Sequence, residues 1–166
     1  RGDYVPPLNN HALFRRDGIE AIRVRSCPPL VRVVVAVDPP ASHGKRSNAC
    51  GIVCAGLGDD GHCYVLDDAT VQGARPAQWA RTAVALYHAR QADRVVAEVN
   101  QGGAMVEAVL REIDPDVSFR AVHATRGKQA RAEPVAALYE QGRVSHVGAF
   151  PELEDEMCAG VNGAAK

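Results

Sequence analysis

The chain has 166 residues, 19 basic and 20 acidic, with a formal net charge of -1. Hydrophobic residues make up 46% and charged residues 23%, an ordinary balance for a soluble globular protein of one domain. Such a charge excludes a histone-like basic protein but leaves room for a nucleic-acid binder with a local basic face. The five cysteines form no metal-ligand pattern. Cys50 and Cys54 are strand-spaced and read as small buried hydrophobes of a reduced protein. The sequence contains no apolar run of membrane-spanning length and no signal peptide, so the expected location is cytoplasmic.

Residues 1–29 carry Pro6, Pro7, Pro28 and Pro29 and read as an irregular arm or linker from an upstream domain. The main domain is expected over 30–158, with a short tail over 159–166. Residues 31–38 form a valine-rich buried strand, 49–56 a second strand of small apolar residues, and 62–68 a third after the turn "GDDG". Short turns make these three an antiparallel meander. Pro76 suits the first turn of a helix, and Trp79, Ala83 and Leu86 keep its period. Residues 93–99 are a fourth strand, 102–114 a helix, and 117–123 a fifth strand. A helix follows over 128–141, its start blurred by Pro134; after an extended piece, Pro151 opens a final helix. The order predicts an α/β three-layer fold with a mixed central sheet, three antiparallel strands then parallel strands, flanked by helices. It is the element order of the ribonuclease H-like fold.

In that topology the first and fourth strands are neighbours. Asp38 ends the first and Glu98 lies near the end of the fourth, so the two carboxylates meet at one end of the sheet. Like charges at that range repel and need a neutralising partner. Oxygen ligands without His or thiolate favour a hard cation, Mg2+ or Mn2+, and two such ions suit phosphodiester cleavage. An Asp before two prolines is also a common turn residue, and a strand-end Glu is often only solvated. "RAVHATRGKQAR" carries Arg120, Arg126, Lys128 and Arg131 without an acid, apt for phosphate at a helix start. "NQGG" begins with Asn100 at a strand-to-helix turn whose glycines allow close approach. His43, Lys45 and Arg46 on the first turn are weaker DNA-contact candidates, and His123, Trp79 and Tyr87 read as packing residues.

With these residues in view, the chain resembles the nuclease domain of the large terminase subunit of tailed bacteriophages and gene transfer agents. The resemblance rests on "RVVVAVDPPAS", "ACGIVCAG", "DRVVAEVNQGGAMVEAVLR", "HATRGKQARAEPVAALYEQGRVSHVG" and "FPELEDEMC", in that order. It implies a ribonuclease H-like nuclease that uses two Mg2+ or Mn2+ ions to cut concatemeric double-stranded DNA at the start and end of packaging. It further implies an upstream ATPase domain, a small terminase subunit and a portal as partners, and no membrane. Asp38 and Glu98 would be two members of the acidic cluster. Lys128 and Arg131 fall in the basic motif and, with Arg126 and Asn100, would meet DNA. The family's third acid, in a segment resembling "SPDRxDALVWAL", has no counterpart here, and the acidic residue often seen before the second strand is replaced by Asn48. Asp155, which shares a helix face with Glu152, is the substitute candidate for a metal ligand, while Glu154 and Glu156 are expected to point elsewhere. Nothing matches GxxxxGK[ST], so no ATP is expected in this domain.

Three other readings compete: a DNA-clamping and portal-docking module that does not cut, another ribonuclease H-like nuclease such as a junction resolvase, and an actin-like or sugar-kinase half. "DPPASHGKRSN" fits the last badly, because that class needs a DxGxT-type turn.

Overall fold

The valine-rich run becomes β2 (Leu30–Asp38), an interior strand of a mixed seven-stranded sheet. The computed structural model describes residues 13–40, 49–100 and 103–160. His43, Lys45, Arg46 and Asn48 lie outside the described residues. In chain order the elements are α1 (Arg16–Ala21), β1 (Arg23–Val24), β2, β3 (Gly51–Gly58), β4 (Cys63–Asp68), α2 (Pro76–Ala89), β5 (Arg94–Glu98), α3 (Gly103–Ile113), β6 (Phe119–Val122), α4 (Lys128–Glu140), β7 (Val144–Val147) and α5 (Pro151–Ala159). The strands lie in the order β1-β7-β4-β3-β2-β5-β6. β2, β3 and β4 pair antiparallel, and β5, β6, β7 and β1 join in parallel. This is the expected mixed α/β sheet flanked by helices.

Alternation along the strands decides which face each residue meets. Val35 and Val37 of β2, Ile52 and Cys54 of β3, and Val95 and Ala97 of β5 are buried on one face. There they pack with Trp79, Ala80 and Ala83 of α2 and Val106 and Leu110 of α3. Both cysteines are core residues as expected, and burial pushes the Cys50 and Cys54 thiols up to about 12 and about 11. Asp38 and Glu98 have the opposite parity and belong to the other face. On that face Tyr139 of α4 and Glu154 of α5 meet His146 of β7.

One expectation is corrected. Residues 16–24 are not an irregular arm: they form α1 and β1, and β1 pairs with β7 at Arg23↔His146 and Val24↔Val147. Ile19 is fully buried and Arg23 is fastened to the domain by ion pairs, long-range contacts that no local pattern announces. The fourth helix starts at Lys128, as expected, after the extended Gly127, and takes Pro134 into its interior.

Candidate active site

β2 and β5 run parallel in register Val37↔Ala97, and one residue further on each strand ends in an acid, Asp38 and Glu98. Neighbouring strands lie about 4.8 Å apart, and both side chains take the face turned away from α2 and α3. The sequence places these acids at the strand ends, and the register puts them side by side. Asp38 responds to its setting: partial desolvation at the strand end raises its carboxyl above the ordinary value, and Glu98 raises it further. Lys128 and Arg131 pull it back down, so the first turn of α4 faces the acidic pair.

Gly51 lies opposite Asp38 in the β2–β3 register. A Cβ at Gly51 would sit 3.4 Å from the Asp38 Cβ, so glycine leaves that flank of the carboxylate open. Arg131 Nη1 donates to Glu98 Oε2, and the Arg131 Nε–H is buried without a partner among the described residues. Among the described residues no three His, Cys, Asp or Glu side chains converge as a metal-binding group. The donor set is thus one pair of carboxylates with an open flank and a neutralising cation beside it. Its chemistry fits a hard divalent ion bound through oxygen.

The remaining candidates fall in different places. Arg126 and Asn100 are exposed in the loops leading to α4 and leaving β5, at the same end of the sheet as the acids. Arg120 belongs to β6 and is separated from the α4 pair. With His123, Phe119, Ala121, Gly103, Ala104 and Glu107 it borders an open groove of about 550 Å3 at the sheet edge. Gly103 serves packing there, since a Cβ would come 3.0 Å from Val99 Cγ2. Asp155 is not brought to the pair. It binds Arg16 of α1 at 2.5 Å, and the α5 charge that acts on Asp38 is that of Glu156. Glu154, expected to point away from the Asp155 face, is 2% exposed and accepts from Arg23, His146 Nδ1 and the Phe150 backbone. Its signal in the sequence is weak, because nothing local in "PELEDEMC" says which acid turns inward. Trp79 is core as expected, and Tyr87 is partly buried against it.

A mixed sheet of three antiparallel strands followed by parallel ones, flanked by helices, is the ribonuclease H-like fold. The family model of the terminase RNase H-like domain matches residues 35–166, and the chain belongs to that family. Among solved structures it is similar to the large terminase nuclease of the thermophilic phage G20c, at 15% identity and TM-score 0.62, covering 89% of this chain and 80% of that one. It is similar to the nuclease domain of the large terminase subunit gp2 of the bacterial virus Sf6, at 16% identity and TM-score 0.66, covering 92% and 85%. The large terminase of bacteriophage HK97 matches at 14% identity and TM-score 0.63, covering 88% of this chain and 36% of that longer one. A point mutant of the Sf6 protein has been solved with calcium and, as its nuclease domain, with manganese. No curated protein sequence matches. Among the described residues no helix is long and apolar enough to cross a membrane.

Proposed function

We propose that this chain is the metal-dependent DNA endonuclease domain of a phage-type terminase large subunit, cutting concatemeric double-stranded DNA at initiation and termination of packaging. The observation that carries this reading is the pairing of Asp38 and Glu98 on one sheet face with Lys128 and Arg131 beside them. The calcium and manganese bound by the Sf6 mutant support Mg2+ or Mn2+ as the cofactor here. When bound, two such ions supply an activated water and stabilisation of the departing 3′ oxygen. Asp38 and Glu98 would hold the metal through their carboxylate oxygens. Lys128, Arg131 and Arg126 would hold the phosphates of the duplex and Asn100 would contact it from the loop after β5. The open flank at Gly51 leaves room for the scissile group. In the full system the partners are an upstream ATPase domain, a small terminase subunit and a portal, in the cytoplasm of the bacterial host cell, and no ATP binds in this domain.

The test is cleavage of supercoiled plasmid with Mn2+ and with chelator, beside Asp38→Asn and Glu98→Gln. Metal-dependent nicking and linearisation, abolished by either substitution, is the expected result. A second reading, a DNA clamp that docks on the portal without cutting, is favoured by the Arg131–Glu98 pair, which already neutralises one acid. Retained plasmid binding with no cleavage by any version would select it.

A further inference from the structure

We propose that Arg131 is a resident counter-ion of Glu98 that couples metal binding to DNA binding, surrendering the carboxylate to a divalent cation when a phosphate of the duplex takes the guanidinium. The inference rests on the metal-site reading above and adds to it a residue that sets when the site can be loaded.

The arginines of this fold offer an internal comparison. Arg90 holds Asp67 in a two-point fork, with Nε at 2.6 Å and Nη2 at 3.0 Å from the two carboxylate oxygens. Arg23 grips Glu154 with Nη1 at 2.8 Å and Nη2 at 2.7 Å. Those are the geometries of permanent pairs, since a planar guanidinium matches a carboxylate bidentately. Arg131 instead touches Glu98 through Nη1 alone, and its Nε–H is buried without an acceptor among the described residues. A guanidinium carries five donors, and leaving one unmet makes this pose costly to hold. Any pose that turns Nε–H toward water or a phosphate oxygen relieves that cost.

The surroundings permit such a move. The Arg131 and Glu98 side chains are 32% and 43% exposed, so the guanidinium has a solvent path outward. Arg131 lies one turn into α4, and Lys128 sits at the first position of the same helix, exposed and without an acidic partner among the described residues. A phosphate drawn to Lys128 therefore arrives within reach of Arg131. A divalent cation and the guanidinium compete for Glu98, because both are cations drawn to one carboxylate and repel each other at that distance. Metal alone binds against the resident Arg131, whereas metal with DNA finds it already engaged. Linkage then requires each to tighten the other by the same factor.

The experiment measures Mn2+ affinity of the whole chain, by calorimetry and by the magnetic-resonance signal of free Mn2+, with and without a short cleavage-resistant phosphorothioate duplex. For the unmodified chain the duplex is expected to tighten Mn2+ binding by about 5-fold or more, within the usual range of coupling. Arg131→Ala is expected to bind Mn2+ about 5-fold or more tightly without DNA and to gain nothing further from the duplex. Arg131→Lys should restore part of the coupling, and Lys128→Ala should weaken duplex binding yet keep it. Circular-dichroism melting of each variant confirms that the fold is intact. Mn2+ binding that Arg131→Ala leaves unchanged or weakens, or DNA coupling that survives in Arg131→Ala, overturns the proposal alone. Absence of any Mn2+ binding sensitive to Asp38→Asn overturns the metal site itself, and the proposal with it.

Discussion

Arg23 of β1 and Glu154 of α5, 131 residues apart in sequence, form a two-point ion pair on the face of the sheet that carries the acidic site. Glu154 also accepts from His146 Nδ1 at 2.9 Å, and His146 Nε2 lies 2.6 Å from the Tyr139 hydroxyl. Arg23 further donates to Glu20 and to the Gly148 carbonyl. One buried carboxylate thus ties together β1, β7, α4 and α5. Removing its main partner leaves a charge stranded in the interior. Arg23→Ala is expected to lower stability by about 3–5 kcal/mol, read as a fall in the urea midpoint. A change below about 1 kcal/mol would mean that His146 and water suffice to hold Glu154.

The same network sets an acid limit. Arg23 holds the Glu154 carboxyl down at about 2, with help from His146 and the Phe150 backbone. The folded value is depressed below the unfolded one. Its stabilisation is therefore present above the usual glutamate range and lost as pH falls through about 2. The expected magnitude is a few kcal/mol. Urea midpoints of the unmodified chain should decline steeply between roughly pH 4.5 and 2, and Glu154→Gln should flatten that decline.

Asp38 behaves in the opposite sense. Its carboxyl is raised by desolvation and by Glu98, so its ionised form opposes folding at neutral pH. Asp38→Asn is expected to raise the melting temperature at neutral pH while abolishing cleavage. The gain should shrink as pH falls through the Asp38 pKa, where the native carboxyl is itself protonated. Scanning calorimetry across pH checks this. A destabilised Asp38→Asn would mean that the carboxylate is held by favourable contacts rather than by repulsion.

Gly51 separates packing from function. Valine fits a strand, but at position 51 its branches would crowd a carboxylate whose Cβ is 3.4 Å from the first added atom. Gly51→Val is expected to melt within a few degrees of the unmodified chain while cutting plasmid about tenfold more slowly, the loss of roughly 1.4 kcal/mol of barrier lowering. Equal cleavage rates would show that this flank is not used.

Pro134 sits inside α4, where it removes one helical hydrogen bond and crowds the preceding turn. Pro134→Ala is expected to stabilise the chain by about 1–3 kcal/mol, seen as a higher urea midpoint with unchanged slope. A loss of stability would show that the proline bends α4 into its place against β7.

How much of this was legible beforehand follows from the range of each interaction. Two-residue alternation, turn residues and helix-opening prolines are local, so β2 to β6 and α2 to α5 could be read in order, and with them Asp38 and Glu98 at the strand ends, while β7 read only as an extended piece because its pairing with β4 and β1 is long-range. The element order in turn implied the mixed sheet and the neighbouring acids, because few topologies accommodate three antiparallel strands followed by parallel ones. Other features depend on directions that only the packed chain sets. The segment from Arg16 to Val24 looked irregular because β1 has two residues and gains its order from β7 and Glu154. Within "PELEDEMC" the helix period relates the four acids to one another, but the docking of α5 decided that Glu154 turns inward and Asp155 meets Arg16. A basic run read as one phosphate-binding patch was divided between β6 and α4, and one of its members came to rest on Glu98. Sequence by itself thus determined the strand ends and the residue types available to the site. The tertiary structure decided which charges meet, because ion pairing acts across strands and helices that the chain brings together only on folding.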